Sequence, residues 1–152
     1  MIAVVILNWN GVDMLRRYLP GVVSDCADEG EVIVADNGST DDSLHYLRTE
    51  HPDVRLVCFD QNLGFAGGYN AAFRRIEQET PGRYDYYLLL NSDVRTSPGW
   101  LAPMRTYMDA HPETAAAQPK IHAEWAHDSF EHAGAAGGFI DRFGYPFCRG
   151  RL

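Results

Sequence analysis

The pattern of hydrophobic and polar positions changes period repeatedly over about the first two-thirds of the chain. Apolar runs at residues 2–7, 31–35 and 84–90 predict buried strands, and residues 54–59 alternate as a further strand. From Gly11 to about Val23 the apolar residues recur at close to helical spacing. Strands that alternate with helices in this way predict the α/β class, with a mainly parallel sheet and helices on both faces.

Capping and helix-breaking residues predict the remaining elements. The segment Ser39-Thr40-Asp41-Asp42 predicts a helix start, with Ser39 or Thr40 as the capping hydroxyl. A glycine-rich loop at 62–68 leads into a predicted helix at 69–79, and Pro98 lies near the start of another helix that ends at about Ala110.

Length and charge narrow the class of protein. The 152 residues suit a single domain, with a short strand expected at 115–118 and no clear period after Pro119. The formal net charge of −8 argues against a nucleic-acid-binding surface. Cys26, Cys58 and Cys148 show no paired metal-binding spacing, and no apolar run approaches the length of a membrane span. We therefore expect a cytoplasmic protein.

Three predicted strands end on short polar segments, which are Asn8-Trp9-Asn10, Asp36-Asn37 and Asn91-Ser92-Asp93. Ligands of parallel sheets bind beyond the carboxyl ends of the strands, so the segments predict one shared site. Asp93 is a candidate ligand for Mg²⁺ or Mn²⁺, which prefer oxygen ligands and could neutralise a diphosphate leaving group. In the alternative interpretation, Asp93 only accepts hydrogen bonds from the turn that follows.

The second polar segment also has two interpretations. The Asp36 carboxylate can accept a hydrogen bond from a ribose hydroxyl or a base N–H, and Asn37 offers both a donor and an acceptor. Alternatively, these residues form a turn that leads into the predicted helix cap, and both interpretations can hold together. Trp9 could face a planar base, although an aromatic residue beside a strand end more often belongs to the core or rim.

The glycine-rich segment is a candidate anion site, because backbone N–H groups ahead of a helix attract negative charge. Its candidate binding residues are Asn62, Gly64, Phe65, Gly67, Gly68 and Asn70. The alternative is that the glycines only permit tight packing. Neither a G-x-x-x-x-G-K motif nor a G-x-G-x-x-G motif after the first strand is present, which argues against a nucleoside triphosphatase and a dinucleotide-binding domain.

Taken in order, these segments resemble the family 2 glycosyltransferases, which have the GT-A (Rossmann-like) fold. Within that family the chain looks most like the rhamnosyltransferase-type members of bacterial cell-surface polysaccharide synthesis. The matching segments are residues 4–11, 34–41, 62–70 and 88–93, with further family-like residues at 118–121 and 144–150. Four segments in the right order make the resemblance specific.

The resemblance implies a nucleotide-diphospho-sugar donor, of the dTDP-rhamnose or UDP-sugar type, and a saccharide or lipid-linked acceptor. It implies that Asn8-Trp9-Asn10 and Asp36 or Asn37 contact the nucleoside, and that the 62–70 segment lies near the diphosphate or sugar. Asp93 matches the last acid of the family's metal motif, whose first acid is replaced here by Asn91. Mg²⁺ or Mn²⁺ is the implied cofactor.

The family's inverting mechanism requires a carboxylate base that deprotonates the acceptor hydroxyl, which then displaces the nucleoside diphosphate. The resemblance implies a base well downstream of the metal motif. The carboxylates after Glu113 lie in no obvious base motif; they are Glu124, Asp128, Glu131 and Asp141. We therefore expect the base to lie beyond Leu152, and we interpret residues 1–152 as an amino-terminal, donor-binding portion.

Two other function classes stay open. A non-catalytic module or subunit that binds nucleotide sugars would keep the donor segments without the base. A sugar nucleotidyltransferase shares the sheet architecture but usually carries a glycine-rich, arginine-containing loop after the first strand, which this chain lacks. Peripheral association of the full-length form with the inner face of the membrane is a further expectation, and self-association through an exposed sheet edge is a further hypothesis.

Overall fold

The computed structural model describes residues 1–130 and 138–148. The chain divides into two compact units, Met1–Pro103 and Met104–Leu152. The first unit contains all the segments in which the sequence predicts binding residues.

The first unit is built on a parallel four-stranded sheet in the order β3-β2-β1-β4. Its strands are β1 (Ile2–Asn8), β2 (Gly30–Asp36), β3 (Arg55–Cys58) and β4 (Tyr86–Leu90). In the register, Asn8 lies opposite Asp36 on β2, and Ile6 lies opposite Leu90 on β4. The predicted α/β class with a parallel sheet is confirmed.

Helices cover both faces of this sheet. They are α1 (Val12–Cys26), α2 (Ser43–Glu50) and α3 (Phe65–Glu79), and the chain continues into α4 (Leu101–Ala110). One face of β1 packs with buried residues of α1 and α2, and the other packs with buried residues of α3. Burial on both faces explains why β1 is a continuous apolar run rather than an alternating one.

Several element boundaries differ from the sequence prediction. Helix α2 begins at Ser43, and Asp42 precedes it without a side-chain capping bond, so the predicted capping hydroxyl at Ser39 or Thr40 is wrong. Helix α3 begins at Phe65 rather than Tyr69, which places glycines predicted to be in the loop in its first turns. The described residues 115–118 form no strand. Ser39 contacts the loop after β1 instead of capping α2.

The second unit includes two short antiparallel hairpins in the region where the sequence has no clear period. The first pairs β5 (His122–Ala123) with β6 (Ala126–Phe130), and the second pairs β7 (Gly138–Ile140) with β8 (Pro146–Cys148). Of the candidate downstream carboxylates, Glu131 lies outside the described residues. Among the residues that the structure describes, each helix is too short or too polar to cross a bilayer.

Candidate functional site

The polar ends of β1, β2 and β4 lie side by side at one edge of the sheet. The three strands are neighbours in the sheet order, and Asn8 is in register with Asp36. A Cβ atom built on Gly11, in the loop after β1, would lie 3.9 Å from Ser92 Oγ, in the segment after β4. The structure therefore brings together the three polar segments that the sequence singled out.

Asp36 is the buried centre of this edge, and both of its carboxylate oxygens accept hydrogen bonds. Asn8 Nδ2 donates to Oδ2 at 2.9 Å, and the Ser39 N–H donates to Oδ1 at 2.9 Å. Asn8 Nδ2 also lies 3.2 Å from Ser39 Oγ, which accepts from it. Asn8 is 1% exposed and Asp36 is 0% exposed, so the pair shapes the loops from beneath.

The loop after β1 is fixed to the loop after β2 by a second set of contacts. Asn10, at a positive φ of 51°, accepts hydrogen bonds through Oδ1 from the N–H groups of Thr40 at 2.7 Å and Asp41 at 3.3 Å. Its own N–H donates to Ser39 Oγ at 2.9 Å. The positive φ is tolerated because asparagine adopts this conformation more readily than most residues. Asn10 thus holds its loop in one conformation.

Asp41 completes the connection between the two loops. Its Oδ2 accepts from the Val12 N–H at 3.1 Å, and its Oδ1 accepts from the Ser43 N–H at 3.0 Å. Partial burial acts to raise the pKa of the Asp41 carboxyl, but the hydrogen bonds from Ser43 and Val12 outweigh burial, and the pKa lies below its ordinary value. Sequence reasoning missed the roles of Ser39 and Asp41, because their residue types were read as a helix start.

Asn37 fastens the glycine-rich segment to the end of β2. Its Nδ2 donates to Asn62 Oδ1 at 3.0 Å and to the Gly64 carbonyl at 3.2 Å, and its Oδ1 accepts from the Leu63 N–H at 2.9 Å. Asn62 Oδ1 also accepts from the Gly64 N–H at 2.7 Å. Asn37 is 2% exposed. All of these contacts hold the loop that leads into α3.

The start of α3 lies against this edge. Gly64 precedes the helix with φ 75°, a conformation that favours glycine, and no side chain caps the helix. A Cβ atom on Gly68 would lie only 2.8 Å from Leu7 Cδ1 and 3.0 Å from Asn37 Nδ2, so glycine permits this close approach. An uncapped helix start offers N–H groups and a favourable dipole to an anion.

Most of the remaining candidate residues are exposed. Trp9 is 57% exposed and Phe65 is 66% exposed. Asn70, Asn91 and Asp93 are exposed as well, and Gly67 is half-buried. The site therefore consists of a buried supporting layer and an exposed outer layer.

The side chains at this edge can be compared with the ligands that a divalent cation requires. In the described residues no group of three or more His, Cys, Asp or Glu side chains could hold a metal ion. A lone carboxylate at Asp93 still fits Mg²⁺ or Mn²⁺ of the kind that one or two carboxylates hold together with water and substrate phosphates. The site fits a cation that a phosphorylated ligand helps to bind.

Comparison with known proteins identifies the family. The profile of the family described as glycosyl transferase family 2 matches residues 3–148. An N-acetylglucosaminyl-diphospho-decaprenol L-rhamnosyltransferase of Mycobacterium tuberculosis is 25% identical over 126 residues, covering 80% of this chain and 41% of that protein. An uncharacterized glycosyltransferase of Nostoc sp. is 33% identical over 75 residues, covering 47% of this chain and 23% of that protein. The chain belongs to glycosyl transferase family 2, and it spans less than half the length of these relatives.

Solved structures show the same fold. S. aureus TarS 1-349 in complex with UDP-GlcNAc matches with a TM-score of 0.60 at 16% identity, over 81% of this chain and 38% of that chain. The mannosyltransferase PcManGT from Pyrobaculum calidifontis, in complex with GDP-Man and Mn²⁺, matches with a TM-score of 0.58 at 20% identity, over 80% of this chain and 33% of that chain. The fold is that of GT-A glycosyltransferases.

Proposed function

We propose that this chain binds a nucleotide-diphospho-sugar at the shared edge of β1, β2 and β4. It would supply the donor half of an inverting sugar transfer, from dTDP-rhamnose or a UDP-sugar to a saccharide or lipid-linked acceptor, in cell-surface polysaccharide synthesis. One observation carries the proposal: the buried Asn8–Asp36 pair and the exposed Asp93 belong to neighbouring strand ends of a family 2 glycosyltransferase.

The proposed nucleoside site uses the loops after β1 and β2. Trp9 and Asn10 are exposed and would face the base and ribose, whereas Asn8, Asp36 and Asn37 hold those loops from below. Each Asp36 oxygen accepts one hydrogen bond from the protein, and Asp36 is 0% exposed. Asp36 would therefore support the nucleoside loops from beneath, while the exposed Trp9 and Asn10 would contact the nucleoside.

The proposed diphosphate site lies between the start of α3 and the segment after β4. The N–H groups at the start of α3 attract phosphate, and Asp93, with Asn91 beside it, would hold the Mg²⁺ or Mn²⁺ ion. Bound metal supplies positive charge that stabilises the leaving nucleoside diphosphate. Asn62, Gly64, Phe65, Gly67, Gly68 and Asn70 form the side of the site near the diphosphate or sugar.

Donor binding tests the proposal directly. Isothermal titration calorimetry would measure the affinity of the chain for UDP, UDP-GlcNAc, dTDP-rhamnose and GDP-mannose. Each titration would be done once with Mn²⁺ and once with EDTA. We expect one preferred nucleotide sugar, whose binding depends on the metal. Asp93→Ala should remove the metal dependence. Asp60→Ala, which removes an exposed carboxyl in the segment before α3, is the matched control and should bind like the wild type. Equal donor affinities for wild type and Asp93→Ala in Mn²⁺ would contradict the assignment of Asp93.

The second candidate function is a non-catalytic nucleotide-sugar-binding module or subunit. The observation in its favour is that the donor edge lies within the first compact unit, Met1–Pro103. Donor hydrolysis and transfer assays separate the two functions, because a binding module shows affinity without turnover.

Self-association and association with the membrane are two further proposals. In the described residues, β4 has a hydrogen-bonded strand neighbour only on its β1 side, which leaves an edge for self-association. Light scattering across a concentration series measures it, and a constant monomer mass would contradict it. Peripheral binding at the inner face of the membrane is tested by co-sedimentation of the protein with anionic vesicles, and protein that stays in the supernatant would contradict it.

A further inference from the structure

Tyr69 connects the start of α3 to the end of β4. Its hydroxyl donates to the Leu90 carbonyl at 3.0 Å, and the side chain is buried at 3% exposure. Leu90 is the last residue of β4, and Asn91-Ser92-Asp93 follows directly. One buried hydrogen bond thus joins the helix proposed to face the diphosphate to the strand end that carries the proposed metal ligand.

An aromatic row on α3 holds the Tyr69 ring in place. The ring centroid of Tyr69 lies 5.1 Å from that of Phe65 and 5.8 Å from that of Phe73, and Phe73 lies 5.1 Å from Tyr87 on β4. Such aromatic contacts restrict the ring beyond the effect of burial alone. The hydroxyl is therefore held at one position relative to β4.

The end of β4 is held by the burial of Leu90 in the core and by its backbone contacts. The β1–β4 register ends with the Ile6–Leu90 pair, and among the described strands β4 pairs only with β1. The hydrogen bond from Tyr69 is a fixed point for this strand end from the α3 side of the sheet. Its removal should let the Asn91–Asp93 segment move relative to α3.

We propose that Tyr69 is a positioning residue, which sets the spacing between the start of α3 and Asp93. This inference rests on the proposed function, in which the helix and the metal act on the same diphosphate. Because both would act on the same diphosphate, a change in their spacing would weaken the part of donor binding that depends on metal. Leu7 of β1 also gives the Tyr69 hydroxyl a backbone hydrogen bond, which acts to lower a pKa that burial raises, so the measurement in EDTA is needed to separate an effect on the β1 side from one on the metal side.

The test measures UDP affinity in four proteins: the wild type, Tyr69→Phe, Asp93→Ala and the double variant. Each affinity is measured once with Mn²⁺ and once with EDTA. Loss of one buried hydrogen bond should weaken Mn²⁺-dependent affinity about five- to tenfold. Affinity in EDTA should stay unchanged, and Tyr69→Phe should have no further effect in the Asp93→Ala background. A purely structural tyrosine would lower both affinities and would do so in both backgrounds.

Tyr84→Phe is the matched control. The Tyr84 hydroxyl donates to Glu31 at 2.9 Å and accepts from Arg55 at 3.0 Å, and Tyr84 precedes β4. This variant should leave the Mn²⁺ dependence of binding unchanged. Hydrogen exchange gives a readout without donor: amides 91–93 should exchange faster in Tyr69→Phe and at the wild-type rate in Tyr84→Phe.

The outcomes separate this inference from the proposed function. Suppose that UDP binding to the wild type depends on Mn²⁺, but that Tyr69→Phe lowers UDP affinity equally in Mn²⁺ and in EDTA. That result would overturn the inference about Tyr69 and leave the proposed function standing. The same conclusion follows if exchange at 91–93 does not change. Absence of donor binding by the wild type would overturn the proposed function, and the inference with it.

Discussion

Asn8 and Asp36, at the ends of neighbouring strands, form a hydrogen bond of 2.9 Å with both side chains buried. The strand register places them opposite each other, and Ser39 contacts both side chains from the following loop. The polar edge of the sheet is therefore held by contacts within the protein itself. This pre-organisation lowers the conformational cost of binding.

Asp36→Asn keeps the shape of the side chain but replaces one acceptor with a donor. One of the two donors, Asn8 Nδ2 or the Ser39 N–H, then faces an NH₂ group in a buried site. We expect the free energy of unfolding to fall by about 1–3 kcal/mol. Urea denaturation measures it, with the exposed Asp53→Asn as the control. Equal stability of the two variants would show that Asp36 is not held as described.

Two adjacent glycines of α3 should respond oppositely to the same substitution. A Cβ atom on Gly68 would meet Leu7 at 2.8 Å, whereas one on Gly67 would lie 3.5 Å from Leu63 Cβ, an ordinary contact. Gly68→Ala should destabilise the chain by about 1–3 kcal/mol through overpacking. Gly67→Ala should be neutral or stabilising by up to about 1 kcal/mol, because alanine favours the helix. Thermal melting compares them, and a reversed order would contradict the packing.

Gly11 and Gly21 give a second comparison, on the β1 side of the site. A Cβ atom on Gly11 would lie 2.6 Å from Asn8 Oδ1, and Asn8 cannot move without losing its hydrogen bonds to Asp36 and Ser39. Gly21 lies within α1, and nothing lies within 4 Å of a Cβ atom there. Gly11→Ala should lower stability by about 1–3 kcal/mol, and Gly21→Ala should raise it by up to about 1 kcal/mol. Similar melting temperatures for both variants would refute this expectation.

Asp41 should make stability depend on pH in the acid range. Its pKa in the folded chain lies below the ordinary value of 3.8, so unfolding takes up a proton as the pH falls. The stabilisation is present above the ordinary value and is lost as the pH falls through the folded pKa. The stability difference between wild type and Asp41→Asn should therefore shrink between pH 6 and pH 3 in urea titrations. A difference that stays constant over that range would contradict the assignment.

Cys26 and Cys58 should differ in reactivity. Burial raises the pKa of the Cys26 thiol to about 11, whereas Cys58 is exposed, with a pKa that burial also raises. Because the thiolate is the reactive form, Cys26 should resist iodoacetamide at pH 7.5 in the folded chain, and Cys58 should react first. Peptide mass spectrometry measures both rates. In urea the two rates should converge, and equal rates in the folded chain would contradict the burial of Cys26.

The sequence by itself determined the strand and helix order of the first unit and the three polar strand ends. Apolar runs such as residues 2–7 carry that information locally, because burial on both faces leaves a continuous hydrophobic pattern. The polar segments could be found for the same reason, since a parallel sheet places its binding residues directly after the strands. The family resemblance, carried by the order of those segments, is confirmed by the profile match to residues 3–148.

Only the tertiary structure decided which polar side chains support the site and which face outward. Asn37 could have pointed toward a ligand, but its amide binds a loop more than twenty residues downstream, a contact that no local pattern encodes. Helix α3 begins at Phe65 rather than Tyr69, and Gly68 in its first turns lies close to Leu7 of β1, a contact that the local glycine pattern does not contain. Contacts between distant segments depend on how the sheet aligns its strands, and a linear reading of periodicity does not contain that alignment.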